Sequence, residues 1–283
     1  MQEFELLLPS SFQEASNLIA DHNAKPIAGG TAMMILMKER ILQPETVVSL
    51  RPLRDEHDYI ELEDGQLRIG ALTPLRSIET HELIRAHVPV ISDCLAELAS
   101  IRIRTMATIG GHLAHGDPDL DLPPVLAGLG AEVGIQGPDS TRSVPLTDFI
   151  TGFYETDLGE GELIKDVRVP VEDDRDGVYL KHRSLSEADW PCIGVAAFLG
   201  GDRPAPTVFL TAVSDTPILR VGGLAEAFDG APLEEAIEAA GRLASEQCDP
   251  IGDARGSADY KRRMADVITQ RALNQVFDKT EAA

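Results

Sequence analysis

PIAGGTAMMI, residues 26–35, sets two adjacent glycines and a threonine between a short apolar segment and a methionine-rich run. An apolar run entering paired glycines, followed by helical spacing, reads as a strand, a turn and a helix. Glycines there let backbone N–H groups approach a ligand, and a helix start adds partial positive charge. Ala28, Gly29, Gly30 and Thr31 are therefore either a plain turn or an anion cradle, with the threonine hydroxyl as a further donor. The loop has neither a Walker lysine nor a GxGxxG spacing. A second stretch of the same kind decides between these readings. TIGGHLAHGDPDLDLPP, residues 108–124, again joins a β-branched residue to two glycines and then sets out several carboxylates. Thr108, Gly110 and Gly111 offer a second donor set. Asp117 and Asp121 suit the hydroxyls of a nucleotide-like cofactor and would not face its phosphates.

Around the first loop, FELLLP reads as a strand, and Ser10 or Ser11 caps the amphipathic SFQEASNLIADH. KPIAGG is a second strand, TAMMILMKERI a helix and ETVVSL a third strand, giving a β-α-β-α-β unit over residues 1–55. Residues 56–176 form a second unit. It opens with a hairpin around Asp64-Gly65 and continues with one or two helices broken near Pro89. The second glycine loop and the strand-like segments TRSVPLTDFI and ELIKDVRVP follow. The polar VEDDRDG, residues 171–177, is the linker. Residues 177–283 then give strands GVYLKHRSL, CIGVAAFLGG and PTVFLTAVSD and two helical stretches, an α+β order.

The formal net charge of −22 excludes partners that need clustered Lys and Arg, such as nucleic acid or an anionic membrane. Cys94, Cys192 and Cys248 lie far apart with no CxxC, so neither a zinc site nor an iron–sulfur cluster is expected on this chain. Free thiols fit a reducing cytoplasm. The N-terminus has no basic region before its apolar run, and no stretch reaches membrane-spanning length, so a cytoplasmic chain is expected. Counting from Asp117, a calcium loop would need Gly at the position of Leu122 and Glu at that of Gly128. His112, His115 and Asp117 lack helical ligand spacing, so no metal is expected there either.

Two Gly-Gly loops in this order, with MKER after the first and ATIGGHLAHGDPDLDLPP at the second, resemble the flavin-binding medium subunit of the molybdenum hydroxylases. This is the xanthine dehydrogenase and carbon monoxide dehydrogenase family. YLKHRSLSEADW and DARGSADYKRRMADVITQRAL extend the resemblance to the C-terminal part. It implies an α+β chain: a two-subdomain PCMH-type FAD-binding fold, residues 1–55 and 56–176, and then a C-terminal α+β domain, residues 177–283.

By the same resemblance, Pro26, Ile27, Ala28, Gly29, Gly30, Thr31, Ala32 and Met33 would wrap the FAD pyrophosphate. Thr108, Ile109, Gly110, Gly111 and His112 would form the second cradle, with Arg102 just ahead of it, and Asp117 and Asp121 would take cofactor hydroxyls. Leu98, Ile164 and Lys181 match positions near the flavin, where the lysine's charge would favour the reduced ring. On residue type alone Leu98 and Ile164 read as core, and Lys181 as a solvated strand lysine. Tyr154 and Trp190 read as interface or core aromatics or as flavin neighbours, and DARGSADYKRR as a turn that places the last helix.

The resemblance implies no proton-transferring catalytic residue in this chain. It implies partners: a small subunit with 2Fe–2S clusters and a large subunit with the molybdenum–molybdopterin cofactor, in a dimer of heterotrimers serving an external electron acceptor. A stand-alone flavin oxidoreductase of the vanillyl-alcohol-oxidase type and a non-catalytic assembly scaffold are the alternatives. His112 departs from the family's usual Asn or Asp. AGGTA differs from the AGGHS of the carbon monoxide dehydrogenase branch, which argues against carbon monoxide as the substrate.

Overall fold

The structure, a computed structural model, describes residues 2–172, 174–200 and 205–282. β1 (Glu5–Leu7) leads into α1 (Phe12–His22). Ser11 Oγ accepts from the Glu14 N–H at 3.1 Å, and the Glu14 carboxylate accepts from the Ser10 N–H at 2.7 Å, a nearly reciprocal cap that fixes where the helix starts. β2 (Lys25–Ile27), α2 (Met33–Lys38) and β3 (Thr46–Ser49) complete a parallel sheet of order β1-β3-β2. Helix α2 is shorter than the 31–41 run reads. Arg40 takes φ 60°, and the N–H groups of Ile41 and Leu42 turn back to the Leu36 carbonyl, ending the helix at Lys38.

After the short α3 (Arg54–His57), β4 (Ile60–Glu63) and β5 (Gln66–Gly70) form the expected hairpin, with Asp64 and Gly65 both at positive φ. The helical stretch that reads as one or two helices is three: α4 (Leu75–Thr80), α5 (Glu82–His87) and α6 (Pro89–Glu97). The extra break lies at His81, in extended conformation, whose ring accepts from the Leu83 N–H and caps α5. Next come α7 (Ile101–Met106), α8 (Ile109–Ala114), α9 (Leu122–Gly128), β6 (Glu132–Gln136) and β7 (Thr141–Pro145). TRSVPLTDFI stays a strand only to Pro145, where α10 (Leu146–Phe149) begins. The pair β8 (Ile150–Gly152) and β9 (Glu155–Thr156) precedes β10 (Leu163–Pro170), which lies centrally in an antiparallel sheet of order β4-β5-β10-β6-β7. Phe12, Ile19 and Val48 of the first unit share one core with Ile69, Leu95 and Val167 of the second.

The C-terminal part is an antiparallel sheet of β11 (Arg175–His182), β12 (Ile193–Gly200), β13 (Thr207–Thr211) and β14 (Leu219–Arg220). Helices α11 (Leu224–Phe228), α12 (Leu233–Gln247) and α13 (Ala258–Ala282) follow it. The linker is shorter than residues 171–177, because Arg175–Gly177 already pair with Phe198–Gly200. Asp173 of that linker and Gly201 of the third-domain strand segment lie outside the described residues.

Strand β12 alternates between two cores. Ile193, Val195 and Ala197 pack with Ile237 and Leu273 of the helices, while Ala196 and Phe198 join the core of the first two units. The C-terminal sheet is thus a layer between its own helices and the N-terminal part, and it reaches the second glycine loop from one side. No helix of the described residues is long and apolar enough to cross a membrane.

Candidate functional site

The first loop leaves the parallel sheet after Ile27, whose carbonyl accepts from the Leu50 N–H at 2.8 Å. Gly29 then passes directly against the end of α7. A Cβ added there would overlap the Met106 carbonyl oxygen and come within 2.7 Å of its carbonyl carbon. Gly30 adopts φ +71°, the left-handed region that glycine enters at little cost. Among the described residues, the N–H groups of Gly29, Gly30, Thr31, Ala32 and Met33 donate to no protein acceptor, while the carbonyls of Gly30 and Ala32 are taken up by α2. A run of open donors on a half-buried turn is what a phosphate-bearing group needs.

The approach to the second loop is held by Arg104, which is buried. Its guanidinium pairs with Glu79 at 2.8 Å and donates to the carbonyls of Leu98 and Ala99 at 2.6 and 3.0 Å. Arg102, on the same helix, is exposed. Thr108 caps α8, its Oγ1 accepting from the Gly111 N–H at 3.2 Å. The N–H groups of Ile109 and Gly110 donate to the carbonyls of Thr73 and Ala71, and that of His112 to Thr108. This narrows the second backbone donor set: the N–H groups of Ile109 and Gly110 dock the loop onto the turn after β5, those of Gly111 and His112 bond back to Thr108, and among the described residues the Thr108 N–H alone of this set has no protein acceptor. A side chain remains open as well. His112 Nε2 is buried without a partner, and burial, with His115 alongside, lowers the imidazole to about 3, so it is neutral.

Beyond α8 the chain crosses Asp117, Asp119 and Asp121, each held differently. Tyr154 donates to Asp117 Oδ2 at 2.9 Å from a hairpin tip where it sits at φ 58°, a costly backbone for a bulky residue. Asp117 Oδ1 accepts from the Asp119 N–H at 2.9 Å, and His115 lies 3.7 Å from Asp117 Oδ2. Burial pushes the Tyr154 hydroxyl up, with the Asp117 charge adding to it.

Asp121 accepts from the Tyr179 hydroxyl at 2.6 Å and from Lys181 Nζ at 2.9 Å, with the Lys181 and Asp121 side chains 0% and 6% exposed. Both carboxylate oxygens thus have protein donors where the sequence reading gave Asp121 a cofactor hydroxyl. Lys181, read as a solvated strand lysine, is buried in an ion pair that also reaches the Glu97 carbonyl at 3.2 Å. Thr211 Oγ1 donates toward the carbonyls of Pro118 and Leu120 at 3.1 and 2.8 Å, and the Ala212 N–H to that of Pro118 at 3.1 Å. Leu98 and Ile164 are buried in the first core.

Burial, reinforced by Asp117, holds the Asp119 carboxyl up at about 6 against the pull of Lys261 and Arg255. The folded chain keeps this proton at pH values where the unfolded chain, near 3.8, has released it. The group's contribution to stability is therefore lost as pH rises through that window. Asp119→Asn should gain about 2 kcal/mol on the wild type between about pH 4 and pH 7, read from urea unfolding at both values. Parallel pH dependence of the two proteins would contradict this.

Sequence reasoning missed Tyr179 and Thr211, while Arg104, read from its place ahead of the second loop as solvating a surface or pairing with nearby acids, does pair with Glu79. The partners of Tyr179 and Thr211 lie far along the chain, and both occupy positions that local pattern assigns to a strand. The glycine pairs and the aspartates around them were the available signal.

This geometry coincides with two family matches. Residues 2–172 match the FAD binding domain in molybdopterin dehydrogenase, and residues 185–276 the CO dehydrogenase flavoprotein C-terminal domain. The chain belongs to this family of FAD-binding medium subunits. It is 32% identical to the carbon monoxide dehydrogenase medium chain of Hydrogenophaga pseudoflava, covering 97% of each chain. With the glyceraldehyde dehydrogenase medium chain of Sulfolobus acidocaldarius the identity is 29%, over 97% of this chain and 98% of the other. The solved carbon monoxide dehydrogenase from H. pseudoflava, in a form lacking the Mo-pyranopterin moiety of its cofactor, superposes with a TM-score of 0.92 over 98% of each chain. The protein is thus a medium subunit of a multisubunit molybdenum oxidoreductase, built on an FAD-binding domain.

Proposed function

We propose that this medium subunit carries electrons from the 2Fe–2S clusters of a small subunit, by way of FAD, to an external acceptor. The molybdenum cofactor and substrate chemistry reside in a large subunit, and the three chains assemble in the cytoplasm as a dimer of heterotrimers. The observation that carries the reading is the run of open N–H groups at Gly29–Met33 packed against Met106. When bound, the flavin supplies the redox chemistry that links one-electron carriers to the acceptor.

The chain's own task is to hold and orient that group. The N–H groups of residues 29–33 balance the pyrophosphate charge, helped by the Thr31 hydroxyl, with Pro26, Ile27 and Ala28 carrying the chain into the turn. Neutral His112 offers its unpartnered Nε2 as a further polar contact. Asp117, held by Tyr154, keeps lone pairs for hydroxyls of the cofactor. Leu98 and Ile164 shape the apolar wall, Arg102 lies at the exposed rim, and Lys181 acts through Asp121. No proton-transferring side chain is required.

Gly111 is the position at which to test the site, because a Cβ there would meet only Thr108 Oγ1, at 3.1 Å. Gly111→Asp adds a carboxylate beside the proposed pyrophosphate site with little strain. It should lose FAD retention, seen as loss of flavin absorbance in the purified protein, while melting close to the wild type. Retention of FAD by this variant would remove the second loop from the site. Copurification with iron and molybdenum tests the assembly, and a wild type that takes up no flavin would defeat the whole reading.

A further inference from the structure

The turn DARGSADYKRR does more than place the last helix. Arg255, in this turn, directs its guanidinium at a carboxylate of its own turn and at those of two other segments. Nη2 donates to Asp189 Oδ1 at 2.9 Å, and Nη1 lies 3.3 Å from Asp253 Oδ2 and 3.7 Å from Asp119 Oδ2. The guanidinium also sits over the Trp190 ring, 5.6 Å from its centroid. Asp119 belongs to the second glycine loop, between Asp117 and Asp121. Asp189 and Trp190 belong to the connection between β11 and β12.

The turn that carries Arg255 is itself fixed. Asp253 Oδ1 accepts from the N–H groups of Arg255 and Gly256 at 2.8 and 3.1 Å, and Asp253 Oδ2 accepts from the buried Lys261 at 3.1 Å. Arg255 therefore presents one rigid fork to two segments that have no other charged link between them among the described residues. Three carboxylates, Asp119, Asp189 and Asp253, converge there on Arg255, and Lys261 backs Asp253 from the far side of the turn. Without Arg255, Lys261 would still pair with Asp253, but Asp189 and Asp119 would lose the cation that joins them, and the Asp119 side chain its link to the Trp190 connection.

We propose that Arg255 is a positioning residue for the flavin site. It locks the second glycine loop to the Trp190 connection, so that the C-terminal domain sets the geometry in which the N-terminal domains hold FAD. This rests on the FAD reading above.

The test uses the full-length chain reconstituted with FAD, comparing wild type, Arg255→Ala, Arg255→Lys and a control, Ile268→Ala. Ile268 is buried in the core of α13, away from the turn, so its truncation weakens the same domain without touching the fork. Trp190 is the sole tryptophan of the chain, and its emission reports this site directly. Arg255→Ala should weaken FAD binding about tenfold or more. Its Trp190 emission should shift to the red and become more accessible to acrylamide. Arg255→Lys should restore part of the emission but less of the affinity, since an ammonium cannot reproduce the fork. Ile268→Ala should lower the melting temperature with FAD affinity and Trp190 emission close to the wild type.

Wild-type affinity in Arg255→Ala overturns the proposal, as does an equal loss of FAD in Ile268→Ala. A wild-type chain that takes up no FAD would overturn the FAD reading and this inference with it. Normal uptake by wild type and Arg255→Ala alike overturns this inference alone.

Discussion

Gly29→Ala is expected to lose FAD binding by about a hundredfold and to destabilise the chain by about 2 kcal/mol. Gly29 is not at a positive φ, so the backbone itself would accept alanine. The obstacle is space: the new methyl would overlap the Met106 carbonyl oxygen and crowd Ala107 Cα at 3.1 Å. These are main-chain atoms, and no rotamer change can clear them. The loop must lift away from α7, and its open N–H groups move with it. Equilibrium dialysis with FAD and urea unfolding of the apo-chain measure the two effects separately. Gly111→Ala, whose methyl meets a single side-chain atom, Thr108 Oγ1 at 3.1 Å, that a small shift can clear, should cost far less. Wild-type affinity in Gly29→Ala would refute the two-loop site, because this contact seats the first loop against α7, which leads into the second.

Lys181→Met is expected to cost about 3 kcal/mol at neutral pH, from removing one partner of a buried ion pair. Asp121 would keep only the Tyr179 hydroxyl as a side-chain donor. Burial already raises the Asp121 carboxyl, and loss of the neighbouring cation would raise it further. The variant should therefore recover stability as pH falls and the carboxyl takes up a proton. Lys181→Met/Asp121→Asn should regain most of the loss, with strong non-additivity in the double-mutant cycle. If Lys181 acted only on the flavin, the single variant would shift the flavin's midpoint potential and leave apo-chain unfolding unchanged. A cost below about 1 kcal/mol would contradict a buried, structural ion pair.

Much of the fold is legible because its signals are local. Ser11 with Glu14, Asp64 with Gly65, and the apolar runs of β3, β10 and β12 each determine their own element within a few residues. Local signals also end where tertiary packing takes over. Nothing in TAMMILMKERI announces that Arg40 will turn left-handed and stop the helix at Lys38. The site divides in the same way. Paired glycines mark both loops, but the sequence cannot tell an open N–H group from one docked on a neighbour. That difference separates Gly29–Met33 from Ile109–Gly110. Lys181 and Asp121 lie sixty residues apart, so their pairing has no sequence signature, and a strand lysine with alternating neighbours looks solvated until the fold closes over it.

Among the described residues, the hydrogen bonds of Thr211 and Ala212 to the second loop go to the main-chain oxygens of Pro118 and Leu120. A grip on carbonyl groups is indifferent to the side chains that carry them. The side chain at 120 can change without loosening this part of the joint. Relatives that share the architecture at 32% identity are what such a seam permits.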